Sequence, residues 1–86
     1  NTSIQNIEVK NTDVTIFPNP ADDYLNVVYS GATKARLEIY DITGRYISSK
    51  EIRSRDKINI RSLSPGLYVA KVKIGDVVVS KKFIKR

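Results

Sequence analysis

The 86-residue chain contains no cysteine, no histidine, no methionine and no tryptophan. Without cysteine there is no disulfide framework and no thiolate metal site, and the redox compartment stays open. Without histidine the commonest general base and the commonest metal ligand are both missing, so neither a Ser-His-Asp nor a Cys-His arrangement can be assembled. No apolar run approaches the ~20 residues that a membrane-spanning helix needs, and no signal peptide is visible at the start. Beginning Asn1-Thr2-Ser3 and lacking an initiator, the chain is expected to be a processed or excised piece of a longer protein. Acidic residues are outnumbered, nine against fifteen Lys and Arg, for a formal charge of +6. That balance permits binding to nucleic acid, anionic lipid or acidic polysaccharide without choosing among them.

The length allows one domain. Asn1 to Thr12 is polar with Ile4, Ile7 and Val9 as its only sizeable apolar residues, so residues 1–13 are expected to be linker and 14–86 the folded unit. Short apolar or alternating runs then recur between turn signals. Val14-Thr15-Ile16-Phe17 is stopped by Pro18-Asn19-Pro20, because proline donates no ladder bond and restricts its predecessor. Ala21-Asp22-Asp23 continues that turn. Its two carboxylates lack the further oxygens that calcium would require, and they read as turn residues bonding local backbone.

Tyr24 to Tyr29 predicts a strand with Leu25, Val27 and Tyr29 on one side, closed by Ser30-Gly31-Ala32-Thr33. Ala35 to Tyr40 alternates, with Leu37 and Ile39 inward and Arg36 and Glu38 outward. Asp41-Ile42-Thr43-Gly44 suits a type I turn. Arg45 to Ile52 reads as a polar edge strand anchored by Tyr46 and Ile47. Ser54-Arg55-Asp56-Lys57 is a loop, and Ile58-Asn59-Ile60 a short strand.

The last stretch predicts a terminal hairpin. Ser64-Pro65-Gly66-Leu67 suits a type II turn, with Pro65 setting φ and Gly66 accepting a positive one. Tyr68, Ala70, Val72 and Ile74 then share one face, and Lys71 and Lys73 the other. Gly75-Asp76 forms a two-residue loop into Val77-Val78-Val79 and a final basic strand. No segment has sustained helical periodicity. Seven short strands predict an all-β, antiparallel, immunoglobulin-like β-sandwich. Gly44, Gly66 and Gly75 serve turn geometry, and Tyr68 reads as a packing residue.

Four of these pieces resemble, in order, the type A C-terminal sorting domain (Por secretion tail) of the type IX secretion system of Bacteroidetes. They are Ile16-Phe17-Pro18-Asn19-Pro20-Ala21 with Tyr24-Leu25, then Tyr40-Asp41-Ile42-Thr43-Gly44-Arg45, then Leu63-Ser64-Pro65-Gly66-Leu67-Tyr68, and finally Lys81-Lys82-Phe83-Ile84-Lys85. The resemblance spans about residues 14 to 86. It implies a seven-stranded sandwich at the C-terminus of a secreted cargo, recognised at the periplasmic face and exported through the outer-membrane translocon with its carrier proteins. A cysteine-peptidase sortase then removes the domain in most cargo, and the family's cleavage point would fall within residues 1–13. The passenger ends at the cell surface or released. A minority of members keep the domain and serve in the attachment machinery.

Under this resemblance Pro18, Asn19, Pro20, Gly44, Pro65, Gly66 and Tyr68 define the fold, and Lys81, Lys82, Phe83, Ile84, Lys85 and Arg86 are the expected recognition residues. If the last strand lies at a sheet edge, its free N–H and C=O groups can pair with a partner strand while its cations attract an acidic surface. No catalytic residue, cofactor or metal is expected, and neither nucleic-acid binding nor direct membrane insertion. The alternative is a non-catalytic β-sandwich module binding glycan or protein, against which the lack of tryptophan counts. Nucleic-acid binding lacks the aromatic–basic motif of RNA-binding sheets.

Overall fold

The computed structural model describes residues 14–30 and 34–86. The linker expected at 1–13 and most of the turn expected at 30–33 lie outside the described residues. Seven antiparallel strands form, β1 (Val14–Phe17), β2 (Tyr24–Tyr29), β3 (Ala35–Asp41), β4 (Tyr46–Ile52), β5 (Asp56–Asn59), β6 (Gly66–Ile74) and β7 (Val77–Lys85). They divide into a three-stranded sheet ordered β1-β2-β5 and a four-stranded sheet ordered β4-β3-β6-β7. No helix occurs among the described residues.

The core follows the period-two pattern that places alternate side chains on one face of a strand. Leu25, Val27 and Tyr29 of β2, Leu37 and Ile39 of β3, and Tyr68, Ala70 and Val72 of β6 are all buried in one apolar cluster. Ile58 and Ile60 close it from the β5 side, and Phe83 closes it from β7. Outward residues of the four-stranded sheet carry the charge. Glu38 sits between Arg36 at 3.6 Å and Lys73 at 3.3 Å, and it accepts a 2.9 Å bond from the Tyr40 hydroxyl.

Turn chemistry sets the register. The Gly44 N–H donates to the Asp41 carbonyl at 3.0 Å, and Gly44 holds φ at +93°. Asp41 Oδ1 accepts from the Thr43 N–H, the Thr43 hydroxyl and the Arg45 N–H, so one carboxylate fastens the whole loop. The ladder shifts by one residue at the Ile39/Tyr40 step, which aligns Tyr40 with Tyr46. Gly75, with φ at +60°, is the first central residue of the Ile74–Val77 hairpin, as in a type II′ turn.

Several local expectations are corrected. The return strand begins at Tyr46 because Arg45 is held in the loop by its bonds to Asp41. Tyr46 does not anchor it by burial. The residue stays 55% exposed, and its ring rests edge-on against Tyr40 at 5.9 Å. The short strand starts at Asp56, which pairs with Val27, so half of the expected loop is ladder. Gly66 has φ +157°, far from the ~80° that a type II turn asks of its third residue. It is already the first residue of β6, paired with Lys85.

Candidate functional site

The β6–β7 hairpin, residues 66–86, holds six cations against the single acid Asp76, which accounts for five of the chain's six net charges. β7 is an edge strand of the four-stranded sheet. The alternation of β7 separates the six expected recognition residues. Phe83 and Lys85 point into the sandwich, with 0% and 8% exposure, while Lys81, Lys82, Ile84 and Arg86 are exposed. Phe83 stacks on Tyr68 with ring centroids 5.6 Å apart, and the Tyr68 hydroxyl donates to the Ser64 carbonyl at 2.6 Å. The Lys85 ammonium donates to the main-chain oxygen of Arg86 at 2.7 Å. Of the six, Lys81, Lys82, Ile84 and Arg86 are therefore the surface residues, and Phe83 belongs to the core.

The second group of expected residues meets the first here. After β1 the chain crosses to the other sheet through Pro18-Asn19-Pro20, with cis peptides at both prolines. The Asn19 carboxamide then lies along the outer edge of β7. Its Oδ1 accepts from the Ile84 N–H at 2.9 Å, and its Nδ2 donates to the Lys82 carbonyl at 3.5 Å. Ala21 continues the contact as a parallel bridge to Lys85. Its N–H donates to the Ile84 carbonyl at 2.7 Å, and its carbonyl accepts from the Arg86 N–H at 2.8 Å. Asp22 faces the Arg86 guanidinium at 3.2 and 3.3 Å, an exposed fork.

The edge of β7 is thus not free along its whole length, as the sequence suggested. The Lys82 carbonyl, both backbone groups of Ile84 and the Arg86 N–H just beyond the strand are already taken by the chain's own Asn19 and Ala21. A side chain that replaces a backbone amide has no local sequence signature, which is why Asn19 read only as part of a strand stop. Gly44 and Pro65 lie in loops outside β7, while Gly66 opens β6 opposite Lys85.

Electrostatics on the sheet's outer face point the same way. The Lys71 ammonium sits 4.7 Å from the centre of the Tyr40 ring, a cation–π distance. Glu38 is held below the usual carboxylate range, first by the Tyr40 hydroxyl, with burial opposing and Lys73 and Arg36 adding to the depression. It stays an anion that neutralises Arg36 and Lys73 and leaves Lys71, Lys81 and Lys82 unmatched by a salt bridge among the described residues. No cluster of three or more Asp or Glu gathers among the described residues.

The chain is thus a two-sheet, all-β domain whose excess positive charge is carried on its β6–β7 hairpin. The family described as secretion system C-terminal sorting domain matches residues 15–86, and the chain belongs to this family of the type IX secretion system. No curated protein matches the chain.

Proposed function

We propose that this domain is the address of a longer cargo protein, directing it through the type IX outer-membrane translocon for attachment to the cell surface or release. The observation that carries the reading is the concentration of net positive charge on the terminal hairpin of a sorting-family domain. In this reading the outer-membrane carrier proteins of the system read the exposed side chains of Lys81, Lys82, Ile84 and Arg86. The cations supply attraction to an acidic surface and speed encounter, and Ile84 supplies apolar contact. Phe83 and Lys85 act through the fold that holds those four in place. Residues 1–13 serve as the linker to the cargo and as the cleavage region of a sortase-like cysteine peptidase. The domain passes through the periplasm in transit and works by being bound, with no reaction of its own.

The test is export of a reporter fused to residues 1–86 in a bacterium with a working type IX system. A parallel fusion carries Lys81→Gln, Lys82→Gln and Arg86→Gln. Delivery of the first to the surface or medium is the expected result, with the second reduced at least about tenfold, as ~1.4 kcal/mol of lost interaction would give. Retention of the unsubstituted fusion in the periplasm overturns the reading. Equal export of both leaves a sorting signal that is not read through charge.

A further inference from the structure

The two flanks of the four-stranded sheet are built differently. β4 shields its edge with Ser48, Ser49, Lys50 and Glu51, the polar and charged side chains that discourage pairing with another chain. β7 begins with the opposite chemistry. Val77 and Val78 are 37% and 54% exposed at the start of an edge strand, a β-branched, apolar stretch of the kind that invites a further strand.

The ladder fixes which backbone groups are presented there. The two-residue loop makes Ile74 and Val77 a hydrogen-bonded pair, so Val77, Val79, Lys81, Phe83 and Lys85 bond to β6. The N–H and C=O of Val78, Ser80, Lys82 and Ile84 point the other way, as the bonds from Ile84 to Asn19 and Ala21 show directly. Asn19 and Ala21 occupy the groups from the Lys82 carbonyl onward. Among the described residues, nothing covers both groups of Val78 and Ser80 or the Lys82 N–H.

We propose that Val78–Lys82 is a strand-addition site for an extended segment of a partner protein, apolar beside Val77–Val79 and acidic beside Lys81–Lys82. Backbone pairing supplies the contact and alternate side chains its selectivity. Val78 on the outer face and the half-buried Val79 on the inner face favour apolar neighbours at one end. Lys81 and Lys82, with Lys71 on the adjoining strand, favour carboxylates at the other. The Asn19–Ala21 segment sets the stop, because an added strand runs into it beyond Lys82. The site takes about four residues, so its affinity is modest and leans on charge. This inference rests on the sorting reading only for where the partner resides.

The test uses the full 86-residue chain, isotopically labelled, and a capped peptide Val-Thr-Val-Glu-Val-Glu-Glu as probe. In the free chain the amides of Val78 and Ser80 exchange with solvent at least about tenfold faster than those of Val79 and Ile84, as open edge groups do. Added peptide slows exchange and shifts resonances at Val78, Ser80 and Lys82. Ser80→Pro removes an N–H that faces away from β6, a place where an edge strand tolerates proline, and abolishes those shifts while β6 exchange is unchanged. A synthetic chain N-methylated at Ser80 makes the same deletion should the proline chain unfold.

Slow exchange at Val78 and Ser80, no shift at millimolar peptide, shifts elsewhere, or binding that survives both modifications each overturn the proposal. Export separates it from the sorting reading. If Ser80→Pro is exported like the unsubstituted fusion, strand addition falls and sorting stands. If neither is exported, sorting falls and the peptide titration decides strand addition alone.

Discussion

The Phe83 ring is fully buried and stacked on Tyr68, although Phe83 stands only three residues before the end of the sequence. Truncating it leaves a cavity the size of an aromatic ring, and Phe83→Ala is expected to cost ~3–5 kcal/mol. That is a large share of the ~5–15 kcal/mol that holds a small domain together. Ile84→Ala, one residue on and 45% exposed, should cost less than about 1 kcal/mol. Urea unfolding of the two variants checks the contrast, and equal losses would mean that β7 is not inserted as described. The sequence showed the inward set of β6 but not that of β7. Lys85 falls on the inward parity beside Phe83, and Lys81 on the same parity is exposed, so cations hide the alternation.

Two carboxylates tie residue-scale chemistry to pH. Asp41 lies below its ordinary value, first through the Thr43 hydroxyl and then through the Arg45 N–H, and Glu38 lies below its own through the Tyr40 hydroxyl and Lys73. A depressed acid contributes stability that is complete above its unfolded pKa, near 4 here, and is lost as pH falls through the folded value. The Tyr40 hydroxyl, raised chiefly by its bond to Glu38, acts in the other sense. Its contribution is intact below about pH 10 and is lost as pH rises through the folded value. The urea midpoint should therefore decline on both sides of a flat neutral range. Tyr40→Phe should lessen the decline on each side, and an unchanged pH profile would dissociate the Tyr40–Glu38 bond from stability.

At the scale of elements, the 19–22 segment fastens the end of one sheet to the first strand of the other. Asn19 was legible as punctuation between two prolines. Its bond to Ile84 spans 65 residues and could not be read locally. The same limit explains Gly66. Local rules favour a Pro-Gly turn, but pairing with Lys85 draws Gly66 into β6. The hairpin at Gly75-Asp76, the edge position of β4 and the inward faces of β2, β3 and β6 were legible because turn chemistry and alternation are local signals. Asn19→Ala deletes both carboxamide bonds, one of them at the 3.5 Å limit, and leaves the Ile84 N–H without its partner. A loss of ~1–2 kcal/mol is expected, appearing as ~5–30-fold faster exchange of the Ile84 amide. The Val79 amide, bonded to β6, should change no more than global stability does. Equal acceleration of both amides would show that Asn19 supports the whole domain and not this edge in particular.

Across the whole molecule, the core and the proposed signal share one strand, which decides how the signal has to be tested. Cutting the chain after Ser80 removes Phe83 from beneath Tyr68 and also the groups that Asn19 and Ala21 hold. The shortened chain should fail to fold, with no cooperative thermal transition, so its loss of export would say nothing about recognition. Replacing Lys81, Lys82 and Arg86 by Gln touches only exposed side chains, and the one ion pair broken among the described residues is the exposed Asp22–Arg86 fork. Exposed pairs contribute ~0–1 kcal/mol, and a change of that size moves the melting temperature of a domain this small by no more than about 4–8 °C. The triple-Gln chain should therefore melt cooperatively near the parent while export of its fusion falls. A triple-Gln chain that unfolds would place the three cations among the determinants of stability, and a lowered export could then no longer be assigned to their recognition. A cooperative transition in the chain ending at Ser80 would show that the sandwich closes without Phe83. The terminal residues could then be read apart from the fold.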